Sequence, residues 1–241
     1  MATGSFLHLT LRARFGAFRA FLSHGVSPVM IRPIRVVASN VFSIVSLGSP
    51  QKNFSYFEMQ TNLIVDFMTS LEQALSQVPH FSFVHGHLFN SAQPTIDQLH
   101  HIKEYGCSTV INLSTSKSAD HLNHQDQICL DIGLNYIHIP IDWEVPSSDQ
   151  CLLVLDLIDH LVKNEIVWLH CTENMRASCL IYLYRQYYMD MDMPTAQELL
   201  HQVWEPNETW TGLIHSVSLQ LQGRKSTLEL EQSLINTNHF T

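Results

Sequence analysis

A cysteine and an arginine separated by four residues lie between an apolar strand pattern and a helical pattern. Cys171 and Arg176 follow the run Ile166 to Leu169, which is too short for a helix and rich in strand formers, and apolar residues at helical spacing come next. A helix N-terminus presents unpaired N–H groups that attract an anion. These groups and a nearby cation also lower the pKa of a thiol, and the thiolate is the nucleophile. The sequence therefore predicts a nucleophilic cysteine in an anion-binding loop.

The segment His170-Cys-x-x-Asn-x-Arg-x-Ser178 resembles the phosphate loop of cysteine-dependent tyrosine and dual-specificity phosphatases, and more closely that of a bacterial tyrosine-phosphatase-like family. Other landmarks of that family follow its order, and the resemblance covers about Phe89 to Ile214. These landmarks are Gln93-Pro94-Thr95, Val110 to Leu113, His138 to Trp143, and Val203 to Asn207 with Trp210.

The resemblance implies three catalytic residues. Cys171 would attack phosphorus to form a thiophosphate intermediate, and Arg176 would bind two phosphate oxygens. Asp142 would protonate the leaving oxygen. In many dual-specificity enzymes the acid lies three residues after the proline, whereas Asp142 lies two after Pro140 and Glu144 four after it. Asp142 is preferred, with Glu144 as its rival.

The resemblance also implies a set of substrate-binding residues, whose backbone N–H groups from 172 to 176 would hold the phosphate. Asn174 stands near the place where the family has a glycine, and Asn tolerates a positive φ. Ser178 lies two residues after Arg176 instead of next to it, which is unlike most phosphatases. The predicted set is His170, Thr172, Glu173, Asn174, Met175 and Ser178.

Three other interpretations of the cysteine stay open. Most phosphatase loops have five residues between Cys and Arg, and rhodanese-like sulfurtransferases use a loop as short as this one. A persulfide on Cys171 is thus an alternative chemistry. A catalytically weak pseudophosphatase that only binds phosphate is a second alternative. A buried structural cysteine is the third, since free cysteine is often buried.

The order of elements predicts an α/β fold: a single domain with a mainly parallel central sheet and helices on both faces. Strands are expected near Leu88-Phe89, at Ser108 to Leu113, at Asn135 to Ile139 and at Ile166 to Leu169. Helices are expected from Thr95 to Gly106, from Ala119 to Gly133, after Ser147, after Cys171, from Thr195 to Pro206, and after Asn207.

Composition narrows the class of partner. The 241-residue chain has 45% hydrophobic residues and a net charge of −9, which disfavours nucleic acid and anionic membranes. A phosphorylated protein or a small aryl phosphate is the expected partner, because Glu173 inside the loop disfavours polyanions. Fifteen histidines show no defined metal-site spacing, so neither metal nor cofactor is expected. Five cysteines without a CxxC pair indicate reduced thiols and a cytoplasmic setting.

Charge divides the chain into segments. Residues 1–57 contain six basic residues and no acid, whereas the rest of the chain has a net charge of −15. We expect a disordered leader at 1–57, a peripheral helix at 58–80, a catalytic domain at 81–222 and a loose polar tail at 223–241. The leader resembles an organellar transit peptide. It could instead precede a true start at Met59 or Met68, which is preferred because the resembling family is bacterial. We expect it to be dispensable for folding and catalysis.

Overall fold

The structure is a computed structural model, and it describes residues 70–118 and 121–238. Five strands form one sheet in the order β1-β2-β5-β3-β4. Only the β1–β2 pair is antiparallel, and the other three pairs are parallel. The strands are β1 Ser82–His85, β2 Leu88–Ser91, β3 Thr109–Asn112, β4 Asn135–His138 and β5 Val167–His170.

Helices cover both faces of this sheet. The first, α1, spans 70–76 among the described residues. The others are α2 Ile96–Glu104, α3 Gln125–Ile132, α4 Ser148–Leu161, α5 Met175–Tyr187, α6 Met193–His201 and α7 Glu208–Asn238. The predicted α/β class with a mainly parallel sheet is confirmed.

Alternation of side chains along the strands separates two apolar cores. Phe89, Val110 and Trp168 point to one face, where α1, α2 and α3 pack. Their strand neighbours Ile111 and Leu169 point to the opposite face, where α4 to α7 pack. Successive side chains of a strand point to opposite faces, so a sheet covered on both sides needs apolar residues at nearly every position. The continuous apolar run of β5 follows from this burial.

Local capping signals position most helices as the sequence predicts. Thr95 and Gln98 form a complete capping box at the start of α2, and Ser147 accepts a hydrogen bond from the Gln150 N–H at the start of α4. Gly133 ends α3 with φ 82°, a conformation that favours glycine. These turns return the chain to the same edge of the sheet after each helix.

Three element boundaries differ from the prediction. Asp192, not Thr195, caps α6, because its side chain accepts the Thr195 N–H and Pro194 occupies the first turn. That helix ends at His201, before Pro206. Helix α3 begins only at Gln125, and positions 119–120 lie outside the described residues. Strand β1 was not predicted.

The predicted loose tail is wrong for residues 223–238, because α7 continues through Gly223 to Asn238. Buried Trp210, Leu213, Val217 and Leu221 hold its first half against the domain, whereas the side chains from 226 to 235 are exposed. The proposed leader at 1–57 lies outside the described residues. No helix of the described part of the chain is long and apolar enough to cross a membrane.

Deletion of residues 227–241 should leave the domain folded, because the described side chains removed up to residue 235 are exposed. We expect the free energy of unfolding in urea to change by less than about 1 kcal/mol. A deletion from residue 217, which also removes buried Val217 and Leu221, should destabilise strongly and serves as the control. Equal and large losses in both variants would show that the second half of α7 packs on the domain.

Candidate active site

The parallel strands end together at one edge of the sheet and place four polar residues side by side. In the registers of β2, β5, β3 and β4, Ser91 pairs with His170, His170 with Asn112, and Asn112 with His138. In parallel sheets ligand sites collect at the carboxyl ends of the strands. Cys171 follows β5 directly and therefore lies at the centre of this edge.

The loop from Cys171 to Arg176 makes its turn at Asn174. This residue is fully buried with φ 63°, in the left-handed region. Its side chain accepts a hydrogen bond from Asn90 Nδ2 at 2.8 Å and donates one to the His80 carbonyl at 2.7 Å. Asparagine adopts this backbone conformation more readily than most residues. Asn174 thus replaces the expected glycine and also ties the loop to β2.

Two further hydrogen bonds fix the first half of the loop. The Thr172 carbonyl accepts the Gln93 N–H at 3.1 Å, and the Thr172 hydroxyl donates to the Ser114 hydroxyl at 3.1 Å. Gln93 follows β2 and Ser114 follows β3, the two strands that flank β5. The segment after β3 therefore lies beside the loop.

Cys171 is fully buried beneath the loop and experiences opposed influences. Burial raises the pKa of the Cys171 thiol above its ordinary value. Hydrogen bonds from the backbone N–H groups of Ala177, Arg176 and Glu173, together with the charge of Arg176, lower it. Burial is the largest of these influences. The N–H groups that converge on the sulfur would stabilise negative charge on it.

Arg176 is held by the loop that contains the predicted acid. Its Nε donates to the Ile141 carbonyl at 3.0 Å, and its guanidinium carbon lies 5.3 Å from the centre of the Trp143 ring. A guanidinium over a tryptophan face is attracted by the ring quadrupole. Arg176 is 8% exposed and lines the pocket above the loop, so its position is fixed before any ligand binds.

Three tryptophans connect the arginine to the helical half of the domain. Trp210 Nε1 donates to the Trp143 carbonyl at 3.1 Å, and the Trp204 ring lies 5.4 Å from the Trp143 ring. Trp210 is fully buried and packs in the core. The sequence did not predict that Trp204 and Trp210 support Trp143, and hence Arg176. No motif or residue spacing in the sequence indicates that Trp204 and Trp210 contact Trp143.

Ser178 lies in helix α5 but is not turned to the pocket. Its hydroxyl donates to the Met175 carbonyl at 3.0 Å and accepts from Trp204 Nε1 at 3.2 Å. The hydroxyl hydrogen of Ser178 is engaged by a carbonyl of its own helix and is therefore not available to a ligand. Of the predicted substrate-binding residues, Thr172, Glu173 and Met175 line the pocket, whereas Ser178, His170 and Asn174 do not.

Asp142 is exposed on the loop after β4. One of its oxygens accepts the N–H groups of Glu144 and Val145 at 2.8 and 2.9 Å. These two hydrogen bonds, from Val145 first and then Glu144, lower the pKa of the Asp142 carboxyl, and the charges of Arg176 and Lys117 lower it further. Glu144 is also exposed. The loop therefore favours a charged Asp142, whereas a general acid must carry a proton.

The residues above the loop enclose an open pocket of about 240 Å³. It is lined by Ser118, Trp143, Thr172, Glu173, Met175 and Arg176. Glu173 is exposed at its rim, and Trp143 and Met175 supply apolar surface. An anion bound here would contact Arg176 and the loop backbone, and an aromatic group attached to it would contact Trp143.

His170 lies under the loop in a buried polar cluster that the sequence did not predict. Its Nε2 lies 3.0 Å from Gln125 Nε2, and Gln125 Oε1 accepts from Asn112. Burial lowers the pKa of His170 to about 3, so the ring is neutral. The described residues contain no group of three or more His, Cys, Asp or Glu that could hold a metal ion.

Comparison with known proteins identifies the class of this domain. A family model described as "Polymorphic toxin system, DSP-PTPase phosphatase" matches residues 86–184. A putative phosphatase (DUF442) from Shewanella putrefaciens CN-32 has a similar structure, with a TM-score of 0.56 and 26% identity over 62% of this chain and 97% of that chain. Residues 86–184 therefore match a family of cysteine-dependent phosphatases. The resemblance drawn from the sequence is confirmed for this phosphatase domain.

More distant structures share the fold of the phosphatase domain. The core catalytic domain of the PP-IP phosphatase SIW14 from S. cerevisiae has a TM-score of 0.52 at 14% identity, over 63% of this chain and 94% of that chain. TpbA from P. aeruginosa has a TM-score of 0.50 at 14% identity, over 60% of this chain and 91% of that chain. A search of curated proteins found no match.

Substitution of Asn174 should show how strongly the loop of the phosphatase domain depends on it. Asn174→Ala removes two buried hydrogen bonds and places a Cβ-only residue at φ 63°, so we expect a loss of about 3 kcal/mol in the free energy of unfolding. Asn174→Gly loses the same hydrogen bonds but tolerates the backbone, and it should be more stable than the alanine variant by about 1 kcal/mol. Urea unfolding of both variants measures this difference. Equal stability would contradict the backbone argument.

Proposed function

We propose that this protein is a phosphatase that hydrolyses phosphotyrosine-like monoesters, on phosphorylated proteins or as small aryl phosphates, through Cys171. The observation that supports this most directly is the loop itself. Three backbone N–H groups converge on the Cys171 sulfur, and Arg176 is fixed at the wall of the same pocket. This arrangement serves a nucleophile next to a bound anion.

The proposed reaction has two steps. The Cys171 thiolate attacks phosphorus, a sulfur–phosphorus bond forms, and the bond from phosphorus to the ester oxygen breaks. Asp142 gives its proton to that oxygen as it leaves. Water then attacks phosphorus and gives a proton to the Asp142 carboxylate, which restores the acid, while the sulfur–phosphorus bond breaks; inorganic phosphate leaves and Cys171 returns to a thiolate. Arg176 and the loop N–H groups hold the negative oxygens throughout.

The pocket favours an aryl group over a polyanion. Trp143 and Met175 offer apolar contact on its walls, and a phosphotyrosine-sized group is compatible with a pocket of about 240 Å³. Glu173 at the rim adds negative charge, which opposes ligands with several phosphates. Among the described residues that line this pocket, Arg176 is the one with a basic side chain.

A phosphate-binding domain with slow turnover is the second candidate, and the electrostatics favour it specifically. Burial raises the pKa of Cys171, and the hydrogen bonds of its loop lower the pKa of Asp142. Catalysis needs the opposite protonation of both groups, so both shifts oppose the active form. Tight phosphopeptide binding without hydrolysis over hours would favour this candidate. A rhodanese-like transfer of sulfur is not favoured, because both the family match and the similar structures are phosphatases.

Loss of the nucleophile or of the arginine should abolish hydrolysis without unfolding the domain. For Cys171→Ser we expect p-nitrophenyl phosphate hydrolysis at the level of buffer alone. For Arg176→Ala we expect a decrease of roughly 100-fold or more, because the phosphate loses its charged partner. Circular dichroism and thermal melting check that both variants are folded, and Arg176→Lys controls for charge without the planar guanidinium. Unchanged activity of Cys171→Ser would rule out the proposed mechanism.

The general acid can be identified by comparing substrates whose leaving groups differ in basicity. Asp142→Ala should slow phosphotyrosine hydrolysis by roughly 100-fold, and should slow p-nitrophenyl phosphate much less, since nitrophenolate needs little protonation. Because the pKa of Asp142 is lowered, its protonated form is populated at acidic pH and is lost as the pH rises. The wild-type rate should therefore fall on the alkaline side, and this limb should disappear in the variant. Glu144→Ala is the matched control. The acid assignment moves to Glu144 if that variant alone shows the leaving-group effect.

A further inference from the structure

A chain of buried side chains runs under the phosphate loop from the end of β3 to His170. Asn112, Gln125 and His170 are at most 2% exposed, and we call them the relay. They come from β3, α3 and β5, so the chain crosses three elements. Neither the proposed nucleophile nor the proposed acid belongs to it. Buried polar atoms need hydrogen-bond partners, and each amide atom can only donate or only accept. The donor and the acceptor of each hydrogen bond in the relay can therefore be assigned.

The direction is set at its first member by a backbone donor. The Ser114 N–H donates to Asn112 Oδ1 at 2.8 Å, which identifies that atom as the oxygen. Asn112 Nδ2 is therefore the donor to Gln125 Oε1 at 3.1 Å. Gln93 Nε2 donates to the same oxygen at 3.3 Å. Gln125 consequently turns its Nε2, which can only donate, toward His170.

His170 must then accept at one nitrogen and carry its proton on the other. Gln125 Nε2 lies 3.0 Å from His170 Nε2, so this ring nitrogen is the acceptor. The ring is neutral because burial lowers its pKa to about 3. A neutral imidazole has one N–H, which leaves the proton on Nδ1. Nδ1 is buried and has no hydrogen-bond partner among the described residues, and the Cys171 backbone lies near the ring. Because Nε2 faces Gln125, Nδ1 is the ring nitrogen left to face Cys171.

We propose that Asn112 and Gln125 are positioning residues, which hold His170 with its proton on Nδ1, the ring nitrogen on the Cys171 side. This inference rests on the proposed phosphatase function. A donor kept beside Cys171 favours negative charge in the loop, whereas the other tautomer would present a lone pair there. Since the relay is buried and its direction is fixed by a backbone N–H, the tautomer is set before substrate binds.

The tautomer can be observed without any assay of activity. In the full chain labelled with ¹⁵N-histidine, long-range ¹H–¹⁵N correlation spectra distinguish a protonated ring nitrogen from an unprotonated one. The spectrum of His170→Gln identifies the His170 signals by their absence. We expect a protonated Nδ1 and an unprotonated Nε2 in the wild type. A protonated Nε2 in the wild type would overturn the proposal.

Two amide-to-acid variants should reverse the tautomer from different distances. In Gln125→Glu a carboxylate faces His170 Nε2 and can only accept, so Nε2 becomes protonated. In Asn112→Asp the residue can no longer donate to Gln125, whose amide then turns its oxygen toward His170. Both variants should show a protonated Nε2 and a kcat/KM lower by roughly 10-fold, with KM nearly unchanged. Asn135→Asp, the same change on β4 outside the relay, should alter neither quantity.

The outcomes distinguish a failure of the positioning role from a failure of the proposed phosphatase function. If Asn112→Asp leaves the His170 tautomer unchanged, or if both variants reverse it while kcat/KM stays constant, the positioning role is wrong. If the tautomers behave as expected but the wild type hydrolyses no aryl phosphate, the proposed function fails and the hydrogen-bond direction stands. Should either variant not fold, the wild-type spectrum and the other variant still decide the case.

Discussion

The active-site loop depends on one buried amide. Asn174 turns the backbone through a left-handed conformation, and its side chain at the same time bonds to Asn90 of β2 and to the His80 carbonyl. A glycine could make the turn but could not make these two bonds. The loop has only four residues between Cys171 and Arg176, so one residue must supply both the turn and the anchor. The N–H groups that converge on Cys171 have their positions because of this constraint.

The second constraint acts on Arg176, whose Nε bonds to a backbone carbonyl, that of Ile141, and whose guanidinium lies over Trp143. Trp210 in turn holds Trp143 through the Trp143 carbonyl. Neither the Ile141 carbonyl nor the Trp143 ring carries a formal charge, so these two contacts leave the positive charge of Arg176 in place. The chain after residue 57 nevertheless has a net charge of −15. The proposed anion binding depends on one guanidinium and a few N–H groups, which act locally.

Much of this architecture could be predicted from local signals. The capping box at Thr95, the left-handed Gly133 and the apolar run of β5 each follow from rules that act within a few residues. The loop around Cys171 was recognisable for the same reason. The end of α7 could not be predicted in this way. Its polar sequence is typical of a loose tail, yet the helix continues to Asn238.

Contacts between distant segments explain the rest. Nothing near Gln125 in the sequence indicates that it lies against His170, 45 residues later. The bond from Trp210 to Trp143 spans 67 residues. The family resemblance places Ser178 among the substrate-binding residues, although most phosphatases have this serine one position earlier. In the structure its hydroxyl accepts a hydrogen bond from Trp204 instead. Such outcomes depend on how α5 packs, which no short pattern encodes.

The most direct test of the account is to trap the covalent intermediate. Rapid denaturation of the full chain at alkaline pH during turnover of an aryl phosphate, followed by proteolysis at alkaline pH and mass spectrometry, would reveal which residue carries the phosphoryl group. We predict one phosphoryl group on the peptide that contains Cys171, and none on that peptide in Cys171→Ser. Hydrolysis that proceeds with the phosphoryl group on another residue, or equally well in Cys171→Ser, would contradict the central claim.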